Sequence, residues 1–348
     1  MHLPSDLSSS QYAIGALLLV GVLLYALLGG ADFGGGVWDF FARGPRVQEQ
    51  RKVIARAIGP VWEANHVWLI FVIVLVFTCF PSVFSILATA LYVPFTLALL
   101  GIVFRGAAFV FRAHAHGLVR TEEAWGRVFA IASVITPVIF GMCAGAVSTG
   151  DIRVVNGTVV SSLWTPWLSL FPLMIGLIAL TICAYLAAVY LTMETEGELQ
   201  EDFRRRAIWA GRVFILLSLI ALPVSRSEAP HIWSRFTSGW GPLLIAASVI
   251  LASVSGWAVL ARRFALARLT AAAEVAVLLG GWALAQYPYL VVADIKFTDA
   301  AASPLMLKSA LITYAIGAVF LIPSLFLLFS VFKGLNPAAE PSPPSTGD

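Results

Sequence analysis

Long apolar runs recur along nearly the whole chain, and they constrain its fold more than any other feature. A helix that crosses a bilayer needs about 20 predominantly apolar residues. We predict a transmembrane helix in each of nine runs: 12–32, 58–79, 82–112, 124–147, 165–193, 206–224, 240–261, 268–290 and 304–333. Charged residues make up only 12% of the chain, about half of the usual fraction in a soluble protein. The sequence therefore indicates an all-α, polytopic integral membrane protein.

The connections between these runs are mostly short, and short loops favour antiparallel neighbours. Nine helices permit two four-helix bundles plus one peripheral helix, within a single transmembrane domain of residues 1–335. The segment 39–56 mixes charged and apolar residues, which is typical of a short amphipathic helix at the membrane interface. The tail 336–348 is too polar to bury apolar surface, so we expect it to be disordered. The first ten residues lack a basic segment, and we expect no cleavable signal peptide.

The distribution of basic residues predicts the orientation. If the N-terminus is outside, 17 of the 22 Lys and Arg residues fall on the inner side. Cytoplasmic segments of membrane proteins carry an excess of Lys and Arg. We therefore predict a periplasmic N-terminus and a cytoplasmic C-terminal tail. This bias also accounts for the formal net charge of +3, and no basic patch indicates nucleic acid.

Polar side chains cluster where the second predicted helix begins. Glu63 and His66 are three residues apart, and Trp62 and His66 are four apart. These spacings place side chains on one helix face, with Asn65 among them. Ionisable groups at membrane depth are costly and usually face a bundle interior, a partner or a water path. This cluster is therefore a candidate functional site.

Two acids on the predicted inner side allow two interpretations each. Asp32 lies among five glycines in L-G-G-A-D-F-G-G-G. It is either a solvated acid where glycines let the helix unwind and neighbours pack closely, or an acid that collects protons for a buried site. Glu63 either relays protons or pairs with an arginine of the third helix, Arg105 or Arg112. The residues leave these alternatives open.

Metal or haem ligation by this chain is not indicated. His66 is the only one of five histidines within a predicted helix, and no methionine stands out as an opposed axial ligand. We therefore interpret His66 as a hydrogen-bonded packing residue. Glu274 is interpreted as the partner of a basic neighbour such as Arg268. The dispersed cysteines are interpreted as small packing residues, without a disulfide or a metal: Cys79, Cys143 and Cys183.

Three separated segments resemble subunit II of the cytochrome bd family of quinol oxidases. G-A-D-F-G-G-G, residues 30–36, is similar to the family's D-G-F-D-x-G-x-G. P-V-W-E-A-N-H-V-W-L, residues 60–69, is similar to P-x-W-D-G-N-x-x-W-L, and F-R-G-A-A-F-V-F-R follows it at 104–112. Y-L-T-M-E-T-E-G-E-L, residues 190–199, is similar to Y-L-x-x-x-T-x-G-E-L. Their order and spacing fit that family across the whole spanning region.

Three departures from these motifs bear on function. The first acid of the family's D-G-F-D is Gly29 here, so the role of that carboxylate is lost or moved. The acid of W-D-G-N is Glu63, which is one methylene longer. An acid often seen in the F-x-F-R segment is Val110. These changes suggest a divergent branch, such as the cyanide-insensitive type, and they put the details of the proton path in question.

The resemblance implies that the chain is one subunit of a quinol:oxygen oxidoreductase in the bacterial cytoplasmic membrane. In this family the partner, subunit I, carries haems b and d and the quinol-oxidising loop. The complex oxidises quinol and reduces dioxygen to water with protons from the cytoplasm. On this resemblance Asp32 and Glu63 are the proton-pathway candidates. The supporting residues of the matching motifs are Trp62, Asn65, His66, Arg105, Arg112 and Glu198.

The same resemblance implies no cofactor bound directly by this chain. It leaves room for a structural quinone or a membrane lipid between the helices, and for a small accessory subunit. Two functions from other classes stay open. The chain could be a secondary transporter, in which broken helices and midplane acids bind substrate, or a quinone-anchoring scaffold of an unrelated dehydrogenase. A transporter should be stable alone, whereas a subunit of this oxidase should copurify with a haem-bearing chain.

Overall fold

The structure, a computed structural model, describes residues 9–58, 62–114 and 119–332. In this part of the chain long helices dominate, with two short antiparallel hairpins. The helices are α1 (Ser9–Leu24), α2 (Gly30–Phe40), α3 (Val47–Ile58), α4 (Trp62–Cys79), α5 (Pro81–Ala90), α6 (Tyr92–His114), α7 (Val119–Thr149), α8 (Thr165–Leu168), α9 (Leu170–Leu191), α10 (Gly197–Glu228), α11 (Pro230–Thr237), α12 (Gly241–Leu260), α13 (Phe264–Gln286), α14 (Phe297–Ala300) and α15 (Pro304–Phe332). The strands are β1 (Val154–Val155), β2 (Thr158–Val159), β3 (Tyr289–Val291) and β4 (Ile295–Lys296).

Within the described ranges, eight helical segments are long and apolar enough to cross a membrane. A ninth is present if α4 and α5, which are bent by 118° at Phe80, count as one span. The prediction of an all-α polytopic membrane protein is confirmed. The predicted helix 82–112 is interrupted, because the chain leaves α5 at Leu91 and starts α6 at Tyr92. Pro81 opens α5, and a proline disfavours helical backbone in the residue before it.

The first span is longer than the predicted 12–32. After α1 it passes through a π-helical turn, Tyr25–Gly29, and continues as α2 to Phe40. The glycines do not unwind this segment. A side chain at Gly34 would overlap the carbonyl oxygen of Cys183 on α9, and one at Gly36 would overlap Ser133 on α7. The glycines therefore let α2 pack closely against α7 and α9, as small residues do between membrane helices.

Helix α9 occupies a central position, because α2, α7, α10 and α13 all pack against it. The last helix, α15, packs mainly against α1 and α4 and exposes large apolar side chains, including Val319 and Phe320, over most of its length. This position agrees with a peripheral ninth helix. The grouping of the other helices into two four-helix bundles stays a prediction.

The two ends of the molecule differ in charge. At the arginine-rich end, which we define by Arg46, Arg112, Arg206 and Arg262, charged side chains join helices that are distant in sequence. The predicted amphipathic segment 39–56 contains part of α2 and most of α3. The opposite end carries the two hairpins. There β1 pairs with β2, β3 pairs with β4, and an ion pair joins Arg153 to Asp294 at 3.4 Å.

Candidate functional site

An ion pair whose two side chains are both almost completely buried joins α2 and α6. Arg105 is 1% exposed and Asp32 is 4% exposed. The Nη2 atom of Arg105 donates to Oδ1 of Asp32 at 2.5 Å, and its Nη1 donates to Oδ2 at 2.8 Å. Its Nε donates to Ser133 at 3.0 Å. The rings of Phe33 and Phe129 each lie 4.9 Å from the guanidinium carbon. Buried charges are stable only when paired and hydrogen-bonded in this way.

This geometry excludes one of the two interpretations of Asp32. The residue does not end a helix, because the chain stays helical to Phe40, and it is not a solvated acid. The interpretation as a solvated terminal acid is wrong. Both of its carboxylate oxygens accept hydrogen bonds from Arg105, which the sequence suggested, together with Arg112, as a partner of Glu63 instead.

A second ion pair lies two helical turns closer to the arginine-rich end. Asp39, which is 3% exposed, accepts a hydrogen bond from Arg112 at 3.1 Å, and Arg51 of α3 lies 3.7 Å from its other oxygen. Asp39 follows Asp32 by seven residues, and Arg112 follows Arg105 by seven. Helices α2 and α6 run in the same direction. Residues seven positions further along each helix therefore also meet, and they form the second pair. Asp39 was not among the predicted site residues, although the matching spacing is visible in both segments.

Helix α4 brings its polar residues to the same region. Asn65 is 2% exposed. The ring of His66 lies 6.1 Å from the ring of Tyr25 and 6.1 Å from that of Phe33, which also contacts Arg105. His66 is therefore packed among aromatic rings. Phe33 lies between His66 and the guanidinium group of Arg105 in the buried ion pair.

The side chains of Trp62 and Glu63 lie outside the described residues, although their backbone belongs to the first turn of α4. Glu63 precedes His66 by three residues and so shares its helix face. Whether Glu63 pairs with an arginine stays open. Arg105 and Arg112 both have an aspartate partner of their own.

Glu198, one of the supporting motif residues, lies at the arginine-rich end. Helix α9 ends at Leu191, and Glu198 is in the first turn of α10. There Arg46 bridges to Glu198 at 2.5 Å and to Asp202 at 2.7 Å. The hydrogen bond that Arg46 donates to the carboxylate of Asp202 raises the pKa of Arg46 above its ordinary value. Glu198 thus helps to hold the segment before α3 against α10.

The predicted pairing of Glu274 with Arg268 is wrong. The two residues are six apart on α13, a spacing that puts them on different faces of a helix. Glu274 is 6% exposed and accepts a hydrogen bond from Ser248 of α12 at 2.5 Å. Arg268 lies over the ring of Tyr190 instead, at 5.1 Å. Glu274 also lines a mostly apolar cavity of about 190 Å³ between α9, α10, α12 and α13.

Metal and haem sites both require converging donor side chains. No three His, Cys, Asp or Glu side chains of these ranges converge as a metal site would need. The ring contacts of His66 are with Tyr25 and Phe33, neither of which is an opposed histidine or methionine. The three cysteines are buried free thiols. These contacts place His66 among aromatic rings, and the absence of a haem ligand on this chain stays a prediction.

These features define an all-α, multi-pass membrane protein with one buried and one partly buried ion pair between parallel segments of its early spans. The family model for cytochrome bd terminal oxidase subunit II matches residues 10–332. The chain belongs to the cytochrome bd terminal oxidase subunit II family, as the resemblance of its three motif segments indicated.

Individual relatives are distant. Cytochrome bd ubiquinol oxidase subunit 2 of Bacillus subtilis (strain 168) is 27% identical over 203 residues, which cover 58% of this chain and 58% of the relative. The chain thus spans little more than half the length of that relative. The putative cytochrome bd menaquinol oxidase subunit II of the same organism is 22% identical over 324 residues, 89% of this chain and 92% of the relative.

Comparison of structures shows the same fold. A chain of the bd oxidase from Geobacillus thermodenitrificans superposes with a TM-score of 0.79 at 20% identity. The superposition covers 93% of this chain and 99% of that chain. The fold is therefore shared over nearly the whole length of both chains, although four in five residues differ.

Proposed function

We propose that this chain is the haem-free subunit of a heterodimeric quinol oxidase. Together with a haem-bearing subunit I it couples quinol oxidation to the four-electron reduction of dioxygen to water. The observation that carries this proposal is the buried pair of Asp32 and Arg105, because it joins two of the motif segments that resemble the family. Buried charges are costly at membrane depth, and a subunit that served only as apolar packing would not require them.

The chain has two roles in this proposal. It stabilises the complex, and it contributes to proton uptake from the cytoplasm. Asp32 contributes a fixed ion pair beside the route, because both of its oxygens are engaged by Arg105. Glu63 is the acid that takes up and releases protons, since its helix position places it one turn from His66. The buried Asn65 borders the same route, and Trp62 is a further supporting residue of this motif.

The arginine-rich end faces the cytoplasm in this proposal. The motivation is the accumulation of Lys and Arg on one side of the bacterial cytoplasmic membrane. Arg112 and Arg51 then flank the cytoplasmic entrance, where they hold Asp39. The N-terminus is periplasmic and the C-terminal tail cytoplasmic. The cavity beside Glu274 is wide enough for part of a lipid or quinone chain.

Purification of the native complex tests this function. We expect an affinity tag on this chain to bring down a second membrane protein that carries haems b and d, seen in the reduced-minus-oxidised optical spectrum. The preparation should consume oxygen when quinol is supplied. A tagged chain that is stable alone, without haem, would instead favour a secondary transporter. Copurification with a dehydrogenase that reduces quinone would favour the anchoring scaffold.

Replacement of His66 by alanine should leave the haem content per complex nearly unchanged. The reason is that the ring of His66 is packed against Tyr25 and Phe33 rather than opposite a second axial ligand. Haem content is measured by extraction and by the optical spectrum, relative to the wild-type complex. Loss of one haem species on this substitution would show that the chain does ligate haem.

A further inference from the structure

Tyr25 lies at the start of the π-helical turn that interrupts the first span. Such turns are rare and occur frequently at functional sites. The ring of Tyr25 contacts two other spans: it lies 6.1 Å from the ring of His66 on α4 and 5.9 Å from that of Phe140 on α7. Tyr25 precedes Asp32 by seven residues, so it lies about 10 Å further from the arginine-rich end. Tyr25 was not among the predicted site residues.

The hydroxyl group of Tyr25 is buried and has no hydrogen-bond partner among the described residues. A buried hydroxyl without a partner costs free energy, and proteins rarely retain one without a reason. Phenylalanine would fill the same space among these rings without that cost. The hydroxyl group is therefore expected to serve a species other than the surrounding side chains, and water is the simplest one that hydrogen-bonds to a phenol.

The surroundings of this hydroxyl connect it to the buried ion pair. The ring of His66 lies between those of Tyr25 and Phe33, and Phe33 in turn packs on the guanidinium of Arg105. Tyr25, His66 and the ion pair thus form one continuous group of side chains. The group starts at the level of Asp32 and extends toward the middle of the membrane, which is the direction that a proton from the cytoplasm has to take.

We propose that Tyr25 is a positioning residue of the proton-uptake route, whose hydroxyl holds water on the membrane-interior side of the ion pair. The hydroxyl donates one hydrogen bond to a water and accepts one from the next. The hydroxyl accepts a proton from one water and releases its own proton to the other. The phenol is therefore neutral before and after the transfer. This inference rests on the proposed function and adds a residue that none of the recognised motif segments contains.

Gly29 leaves room for the ring of Tyr25, because it has no Cβ atom. A Cβ atom at Gly29 would lie 3.0 Å from the ring, which is closer than an ordinary contact, so the ring would have to move. At the neighbouring Gly30 a Cβ atom would lie 3.5 Å from the Sγ of Cys183, an ordinary van der Waals distance. Gly29→Ala therefore displaces the Tyr25 ring, whereas Gly30→Ala is a matched control on the same turn of the helix.

The test is Tyr25→Phe in the intact complex with its haem-bearing partner. We measure oxygen consumption with excess quinol, in H2O and in D2O. The rate should fall about tenfold, which corresponds to about 1.4 kcal/mol in the activation barrier. The solvent isotope effect should rise, because proton delivery then limits turnover. Haem content and thermal stability should stay at the wild-type level, since the ring is retained. A merely structural role would not change the isotope effect.

Gly29→Ala should change the rate and the isotope effect in the same direction as Tyr25→Phe. Gly30→Ala and the exposed Tyr92→Phe should leave both unchanged. An assembled Tyr25→Phe complex with a normal rate and isotope effect overturns this inference alone, whatever Gly29→Ala does. If the wild-type complex itself lacks quinol-driven oxygen consumption, the proposed function and this inference are both wrong.

Discussion

Replacing Arg105 with methionine should prevent the chain from assembling into a stable complex. The substitution leaves the carboxylate of Asp32 buried, without the two hydrogen bonds that Arg105 donates to it. Removal of one partner from a buried ion pair typically costs about 3–5 kcal/mol. That loss is a large fraction of the free energy of unfolding of an ordinary protein domain, which is about 5–15 kcal/mol. The measurement is the yield and thermal unfolding temperature of the detergent-solubilised complex.

Two further variants make this prediction specific to the charge. Asp32→Leu combined with Arg105→Met removes both charges and should recover stability, because apolar replacements of a whole buried pair are often neutral or stabilising. Ser133 keeps a partner in that variant, since its hydroxyl donates to the carbonyl of Phe129. Arg127→Met breaks an exposed pair with a separation of 4.0 Å and should change the free energy of unfolding by about 0–1 kcal/mol. Wild-type stability of Arg105→Met would mean that the ion pair is dispensable.

The sequence predicted the spanning helices well because their signal is local. About 20 consecutive apolar residues indicate a span whatever the rest of the chain does. The extent of the first span was predicted less well. Glycine destabilises an isolated helix, so the glycine-rich segment after Ala31 indicated a helix end. The close packing of Gly34 and Gly36 against α7 and α9 keeps the segment helical, and a single sequence does not show that contact.

The candidate site was predicted in part, for the same reason. Motif segments identified Asp32, Glu63 and Arg105, but the pairing of Asp32 with Arg105 requires the parallel packing of α2 and α6. Tyr25 was missed, because the π-helical turn that precedes Asp32 leaves no pattern in the sequence that distinguishes it from an ordinary α-helix. Contacts between spans thus determine which polar residues meet. Helical spacing alone predicts only the helix face on which a residue lies.

Glu63→Gln should leave the complex assembled and its haem spectra normal, while oxygen consumption with excess quinol falls by about tenfold or more. Glutamine has nearly the same shape as glutamate, but it neither takes up nor releases a proton. The backbone position of Glu63 in the first turn of α4 places it one turn from His66, whose ring adjoins Phe33 beside the buried ion pair. A proton relay at this point would therefore connect directly to the group of side chains that includes Asp32.

Two variants separate the relay from a structural role of Glu63. Glu63→Asp keeps a carboxylate that is one methylene shorter and should retain most of the activity, whereas Glu49→Gln removes an exposed acid of α3 and should have no effect. If Glu63 instead holds the bundle together by pairing with an arginine, Glu63→Gln should yield an unstable or unassembled complex. That outcome has little support in the described contacts, because Arg105 and Arg112 already pair with Asp32 and Asp39. Full activity in a stable Glu63→Gln complex would rule out the relay, because no titrating group would then remain at this position.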